Sequence, residues 1–230
     1  MSGSSVLIVA AHPDDEVLGC AGTAARRAAA GDAVHIAILA TGIAARGARA
    51  DDVDPVALAA LREDARAVAG MLGAKSVAFG DLPDNRLDTV ALLDVVKQVE
   101  RWIAETAPEV VYTHHPGDLN VDHRVAFQAV LTATRPLPGA GVKELYTFEV
   151  PSSTEWAFQR LEPAFRASVF EDVTHTIELK LACMARYAGE ARAFPHPRSP
   201  EALRVVARRW GAVAGMAYAE AFELIRWLRT

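Results

Sequence analysis

Residues 6–16 read VLIVAAHPDDE, and this stretch decides the fold. Its first part, residues 6–11, is a short apolar run rich in β-branched side chains, which is typical of a strand buried on both faces of a parallel sheet. A histidine and three acids follow directly, starting at His12. Open α/β sheets bind their ligands at the carboxyl ends of their strands. The sequence therefore predicts a polar site at the end of the first strand.

The alternation of strands and helices continues outward from this stretch. We predict strands over residues 34–40, 76–79, 110–113 and 145–150, and helices over residues 17–30, 55–72, 89–105 and 122–134. Strands that alternate with helices of this length indicate βαβ units and a mostly parallel sheet. The remainder predicts an edge strand over residues 167–170 and helices over residues 177–193 and 200–228.

Length and composition narrow the class of protein. The 230 residues contain no linker rich in Gly, Ser or Pro, so we expect a single α/β domain over residues 1–230. The 24 basic and 29 acidic residues give a net charge of −5, which disfavours nucleic acid as a partner. The first apolar run is too short for a signal peptide or a membrane span, and the two cysteines lie far apart. A cytoplasmic protein is expected.

A second polar cluster follows the strand predicted over residues 110–113. Residues 114–123 read HHPGDLNVDH, and they come at the equivalent end of another parallel strand. His12 and Asp15 are three residues apart across a turn, close enough to bind one ion. A histidine of the second cluster would complete a His, Asp, His set with one position left for water, the arrangement of a catalytic zinc. An ordinary polar loop, with an aspartate that caps a helix, is the structural alternative.

The paired motifs carry a family resemblance. Residues 11–16, AHPDDE, and 120–124, NVDHR, resemble the motifs of the LmbE-like, or PIG-L, family of zinc-dependent N-acetylglucosaminide deacetylases. Shorter matches extend the resemblance over nearly the whole chain, at residues 41–42, 72–73, 82–85, 197–199 and 219–222. The resemblance implies a three-layer α/β/α, Rossmann-like single domain with a mostly parallel sheet.

The resemblance also implies roles for individual residues. His12, Asp15 and His123 would hold the metal, Zn²⁺ with Fe²⁺ as the alternative, and Asp14 would be the general base that activates the bound water. The reverse assignment, with Asp14 as ligand and Asp15 as base, is disfavoured because His-x-x-Asp is the ligand spacing of the family.

The chain departs from the family at one position. Many members have a histidine three residues before the last metal ligand, where this chain has Asn120. An asparagine can donate a hydrogen bond to the tetrahedral intermediate but cannot protonate a leaving group. Either Asp14 makes both proton transfers, or His115 or His196 replaces the missing histidine.

Other polar residues are candidates for supporting roles. Asp122 is expected to cap the following helix or to orient a neighbour rather than to react. Arg46, Arg62 and Arg198 are candidate contacts for an anionic or polyhydroxylated substrate, although such arginines are more often solvated. Trp156 is either a wall for sugar stacking or part of the core.

The expected function is hydrolysis of the acetamide of an N-acetyl amino sugar or its conjugate. Two alternatives remain open: a non-haem iron enzyme, because two histidines and a carboxylate also form that site, and a non-catalytic sugar- or nucleotide-binding module with a structural metal. The resemblance and the apolar residues of a closing helix over 210–227 also favour a homo-oligomer.

Overall fold

One sheet runs through the part of the chain that the computed structural model describes, residues 3–42 and 54–229. Its seven strands are β1 (Ser5–Ala10), β2 (Ala33–Ala40), β3 (Ser76–Leu82), β4 (Val110–His114), β5 (Glu144–Phe148), β6 (Val169–Asp172) and β7 (Ala219–Trp227). The helices are α1 (Asp15–Ala29), α2 (Pro55–Leu72), α3 (Leu92–Thr106), α4 (Val121–Ala133), α5 (Ile177–Arg186) and α6 (Pro200–Ala214). Short 3-10 helices lie at Leu87–Thr89 and Glu155–Ala157.

The strand order fixes where a site can form. The order is β3-β2-β1-β4-β5-β7-β6, and the first five of these strands are parallel. The chain builds outward from β1 to β3 and then returns to add β4 on the other side of β1. The order therefore reverses between β1 and β4, which is the position where open α/β sheets leave a crevice at the strand ends.

Helices cover both faces of the sheet. The alternating residues Val6, Ile8 and Ala10 of β1 belong to a core with side chains of α1, α2 and α5. Leu7 and Val9 point to the other face and belong to a core with α3 and α4. Strands buried on both faces explain why β1 is an uninterrupted apolar run. The α/β class, the three layers and the mostly parallel sheet predicted from the sequence are confirmed.

Helix α1 is bent in its middle. Cys20 has the non-helical angles φ −152° and ψ 22°, which frees backbone donors in the following turn. The carboxylate of Glu220 accepts hydrogen bonds from the N–H groups of Gly22, at 3.0 Å, and Thr23, at 2.7 Å. The ammonium of Lys180 bonds the same carboxylate at 2.6 Å and the carbonyl of Leu18 at 2.9 Å. A buried ion pair thus satisfies the backbone groups at the bend.

The C-terminal region differs from its prediction. The helix predicted over residues 200–228 ends at Ala214, where Gly215 takes the left-handed φ of 75°, and the following residues form β7. This strand is inserted antiparallel between β5 and β6. Sheet pairing outweighs the helix preference of its alanines. Residues 210–227 therefore do not form the apolar helix that favoured a homo-oligomer. The helix predicted over residues 177–193 is also shorter than expected, because α5 ends at Arg186.

Among the described residues, no helix has both the length and the apolar character needed to cross a bilayer.

Candidate metal centre and its cavity

The loop between β1 and α1 brings its polar side chains together through its own hydrogen bonds. The backbone N–H of His12 donates to Asp15 Oδ2 at 2.9 Å, which folds the loop back on itself. Asp14 has φ 103° in the left-handed region, and its carbonyl accepts the N–H groups of Val17 and Leu18 at 2.9 Å. These bonds start α1 directly at the end of β1.

Three side chains from the two polar clusters converge beside this loop. Asp15 Oδ2 lies 3.2 Å from His12 Nδ1 and 3.3 Å from His123 Nε2. One donor atom from each of the three residues lies within 4.8 Å of the other two. Both ring nitrogens of His123 are buried, and among the described residues each has a carboxylate oxygen nearby but no hydrogen bond of good geometry. A buried nitrogen without a good hydrogen bond, beside a carboxylate and a second imidazole, fits a divalent cation such as Zn²⁺.

Carboxylates behind the two histidines determine which ring nitrogen faces this centre. His12 Nε2 lies 2.9 Å from Asp122 Oδ2 and 3.2 Å from Asp84 Oδ1, while His123 Nδ1 lies 3.1 Å from Asp118 Oδ1. Metal-binding histidines commonly donate their second N–H to a carboxylate in this way. The arrangement turns His12 Nδ1 and His123 Nε2 toward Asp15 Oδ2.

A second group of possible ligands shares one of these histidines. The side chains of His12, Asp84 and Asp122 also approach one another closely enough to bind an ion, and here His12 Nε2 faces the two carboxylates. Asp122 is already engaged on its other oxygen, which accepts the N–H of Leu87 at 2.9 Å. This second group therefore fixes the ring of His12, and the group with Asp15 and His123 is the candidate metal centre.

The pKa values reflect the concentration of charge. Burial opposes protonation of His12, yet its contacts with Asp122 and Asp15 raise its pKa well above the usual value. The pKa of His123 rises to about 9, because Asp15 and Asp118 outweigh the effect of burial. The pKa of Asp15 is well below its ordinary value, since nearby His123 and His114 outweigh desolvation. A bound cation would compete with protons on the two histidines.

Asp14 stands apart from this trio and faces an arginine. Arg198 donates to Asp14 Oδ2 at 2.8 Å, to Glu190 at 3.0 Å and to the hydroxyl of Ser152 at 2.7 Å. Burial raises the pKa of Asp14 to about 8, against the opposing effect of Arg198. Glu16 accepts the N–H of Asp14 at 3.0 Å. The carboxylate is thus held by Arg198, and Asp14 lines the same cavity as His12 and His123.

The centre opens into a cavity of about 630 Å³. Its walls include His12, Asp14, Asp15, Asp84, Asn85, Leu119, Asn120, His123, Ser152, Ser153, Trp156, Glu190, Arg192 and Arg198. A volume of this size accepts a small-molecule ligand. Six of the residues singled out in the sequence therefore line one cavity: the metal-ligand candidates His12, Asp15 and His123, together with Asp14, Asn120 and Arg198.

Asn120 begins α4 in this wall. Its Oδ1 accepts the N–H of Asp122 at 2.8 Å, which makes Asn120 the N-cap of the helix that carries His123. Its amide donates to Asn85 Oδ1 at 3.0 Å.

The two alternative histidines lie elsewhere. His115 is buried between the carbonyl of Pro163, 2.8 Å away, and Glu223, and it does not line the cavity. His196 lies behind the cavity wall, with its ring against Trp156. Neither of them is among the residues that line the cavity.

The remaining candidate arginines also differ in position. Arg62 is on α2, where it pairs with Asp81 and stacks on Phe79 outside the cavity. Arg46 lies outside the described residues.

The sequence reasoning missed several partners of the site. Asp118 Oδ1 lies 3.1 Å from His123 Nδ1. The same carboxylate accepts hydrogen bonds from the hydroxyl groups of Ser153 and, at 2.6 Å, Thr154. Glu190 and Arg192 line the cavity from the segment before α6. The one available signal was the position of Asp118, five residues before His123 in the loop that leads into α4.

Comparison with known proteins agrees with this geometry. The family model described as PIG-L: GlcNAc-PI de-N-acetylase matches residues 7–134. The Escherichia coli K12 protein YaiS, described as an uncharacterized deacetylase, is 27% identical in an alignment of 188 residues that covers 79% of this chain and 89% of YaiS.

Two solved structures resemble the chain over most of its length. GalB, the 4-carboxy-2-hydroxymuconate hydratase of Pseudomonas putida KT2440, is 26% identical with a TM-score of 0.78, covering 99% of this chain and 98% of GalB. An N,N'-diacetylchitobiose deacetylase from Pyrococcus horikoshii is 19% identical with a TM-score of 0.76, covering 96% of this chain and 83% of its own. At that identity the second likeness concerns the fold.

Proposed function

The chain belongs to the PIG-L family of metal-dependent deacetylases, and we propose that it hydrolyses the acetamide of an N-acetyl amino sugar or of its conjugate. Water adds to the acetyl carbon, the C–N bond breaks, and acetate and a free amine are released. The observation that carries the proposal is the convergence of His12 Nδ1, Asp15 Oδ2 and His123 Nε2 on a cavity that Asp14 also lines.

The three converging residues are proposed to hold Zn²⁺. When bound, zinc lowers the pKa of a water ligand to about 7 and polarises a carbonyl group. Asp122 and Asp118 orient the two imidazole rings from behind. With these two histidines and one carboxylate as its protein ligands, a zinc ion would keep a position open for water.

Asp14 is proposed to move the proton. Its carboxylate takes a proton from the attacking water and returns it to the leaving nitrogen. Arg198 and Glu16 hold Asp14 for both transfers. Asn120 supports the site as a helix cap with an amide that can donate, while the proton return falls to Asp14 because His115 and His196 lie away from the centre.

Acetate release tests the proposal directly. A panel of N-acetylated sugars and sugar conjugates is assayed with zinc-loaded protein, chelated protein and the Asp14→Ala variant. We expect release that requires both the metal and Asp14. Full activity of zinc-loaded Asp14→Ala would contradict the proposed mechanism.

Three further experiments distinguish the proposed deacetylase from the alternative functions. Because GalB is named a hydratase, one assay tests for hydratase activity: the addition of water to an unsaturated carboxylate is followed by the loss of that substrate's ultraviolet absorbance. Metal analysis after aerobic and anaerobic purification, with oxygen uptake, tests the non-haem iron alternative. Metal-loaded protein that binds amino sugars but never releases acetate would favour the non-catalytic binding module.

A further inference from the structure

Trp156 lines the cavity of the candidate metal centre and is also partly exposed. It lies in the short 3-10 helix Glu155–Ala157, lines the same cavity as His12 and His123, and is 41% exposed. Trp102, in contrast, is 4% exposed in the core. An indole is a large apolar surface, and leaving one in the wall of a polar cavity favours a ligand that covers it.

The backbone that carries Trp156 is tied to the metal centre. Thr154 donates to Asp118 Oδ2 at 2.6 Å and accepts the N–H of Val150 at 2.8 Å. Glu155 accepts the N–H groups of Ser152, at 2.6 Å, and Ser153, at 3.3 Å. Because Asp118 also holds His123, this turn has a fixed position relative to the proposed metal.

The indole ring is also braced from the side of the proposed base. The ring of His196 meets Trp156 edge-on, with centroids 5.5 Å apart and planes at 80°. His196 Nδ1 accepts the N–H of Arg198 at 3.1 Å, and the side chain of Arg198 bonds Asp14. Trp156 therefore lies next to residues that are hydrogen-bonded to Asp118, the partner of His123, and to Arg198, the partner of the proposed base, so its ring needs little ordering when a ligand binds.

The cavity offers room and polar groups beside this ring. Its volume of about 630 Å³ lies well within the range of roughly 300–1,000 Å³ for small-molecule sites. Glu190 and Arg192, of opposite charge, line it together with Trp156. A hydroxylated ring matches this combination, because its C–H face can cover the negative face of the indole while its hydroxyl groups bond the polar wall.

We propose that Trp156 forms a second sugar subsite, so that the substrate is a glycoside in which a pyranose ring beside the N-acetyl amino sugar stacks on the indole. This inference rests on the proposed deacetylase function for the identity of the first ring. It assigns Trp156 to binding of the substrate and not to the chemical step.

The test compares one sugar with two. The probes are N-acetylglucosamine, its β-1,4-linked disaccharide and its phenyl glycoside, and dissociation constants are measured by calorimetry with zinc-loaded Asp14→Ala protein, so that turnover is not needed. Trp156→Ala is introduced into this protein, with Trp156→Phe as the conservative variant. Trp227→Ala is the matched control, because Trp227 is 51% exposed at the end of β7 and outside the cavity wall.

We expect Trp156→Ala to weaken disaccharide binding by about tenfold, Trp156→Phe to weaken it less, and both to leave monosaccharide binding within about twofold. Equal losses for both sugars, no loss for the disaccharide, or no binding of the disaccharide to the parent protein would each overturn the subsite. A phenyl glycoside that gains as much from Trp156 as the disaccharide would overturn its assignment to sugar.

Acetate release by the protein with Asp14 intact separates this inference from the proposed function. If acetate is released from the monosaccharide and Trp156→Ala has no effect on disaccharide binding, the proposed deacetylase function stands and the sugar subsite is rejected. Binding that depends on Trp156 without acetate from any probe keeps the subsite and rejects the deacetylase.

Discussion

Arg198 Nη1 lies 2.8 Å from Asp14 Oδ2, across 184 positions of the chain. The guanidinium is held in turn by Glu190 and Ser152, so its position is determined by three partners and not by Asp14 alone. The carboxylate that we propose as the base is therefore oriented by a side chain from the segment before α6.

Replacement of Arg198 by alanine should impair the chemical step. Asp14 would lose its charged partner and part of its orientation, and we expect kcat to fall by about 10- to 100-fold with a smaller change in KM. Steady-state kinetics on the best substrate of the acetate assay measures this. Arg198→Lys should recover part of the loss, and Arg204→Ala, which removes a surface arginine of α6 paired with Glu178, is the control. A loss confined to KM would assign Arg198 to substrate binding.

Asp118 should control metal affinity without being a ligand. In Asp118→Asn the ring of His123 loses its carboxylate partner, and we expect the zinc dissociation constant to rise about 10- to 100-fold. Competition with a chromophoric chelator gives this constant. Asp94→Asn, an exposed aspartate in the first turn of α3, removes the same charge and should leave the constant unchanged. An unchanged constant in Asp118→Asn would contradict the assignment.

The buried pair of Lys180 and Glu220 should be costly to break from one side. Lys180→Met leaves the Glu220 carboxylate without its cation in the interior, and we expect the free energy of unfolding to fall by about 3–5 kcal/mol. Urea unfolding measures the change. The surface pair of Lys143 and Glu109 is the control, because Lys143→Met should cost about 0–1 kcal/mol. Similar losses for the two pairs would mean that the buried bend of α1 tolerates an unpaired charge.

His115 should make the fold sensitive to acid. Burial lowers the pKa of His115. The hydrogen bond with the carbonyl of Pro163 and the nearby negative charge of Glu223 oppose this shift but do not cancel it. The folded protein then binds this proton more weakly than the unfolded chain, so stability is lost as pH falls through the unfolded pKa of about 6.5. We expect His115→Gln to lose less stability than the parent between pH 7.5 and 5.5. Urea midpoints at the two pH values measure it, and parallel losses would contradict the prediction.

The parts of the fold that follow from local patterns were predictable. The apolar run after Ser5 gives β1 nearly its observed bounds, and the helix predicted over residues 55–72 has the same bounds as α2. The convergence of His12, Asp15 and His123 was also predictable, because parallel strands end at one edge.

The parts that depend on distant pairing were not predictable. Residues 219–227 have helix-favouring alanines and become a strand only because β5 and β6 offer partners. The contact of Arg198 with Asp14 depends on how a late loop returns to the first strand, which no local spacing indicates. The positions of His115 and His196 away from the centre likewise follow from tertiary packing.

The backbone of Asp14 has a consequence for any attempt to make the protein more robust. A non-glycine residue at φ 103° costs about 1–3 kcal/mol, and here the strain falls on the residue proposed to carry the proton. Glycine would accept this conformation freely but has no carboxylate. Selection for resistance to heat alone would therefore favour Asp14→Gly and abolish turnover, so a screen for hardier variants must score product formation as well as survival.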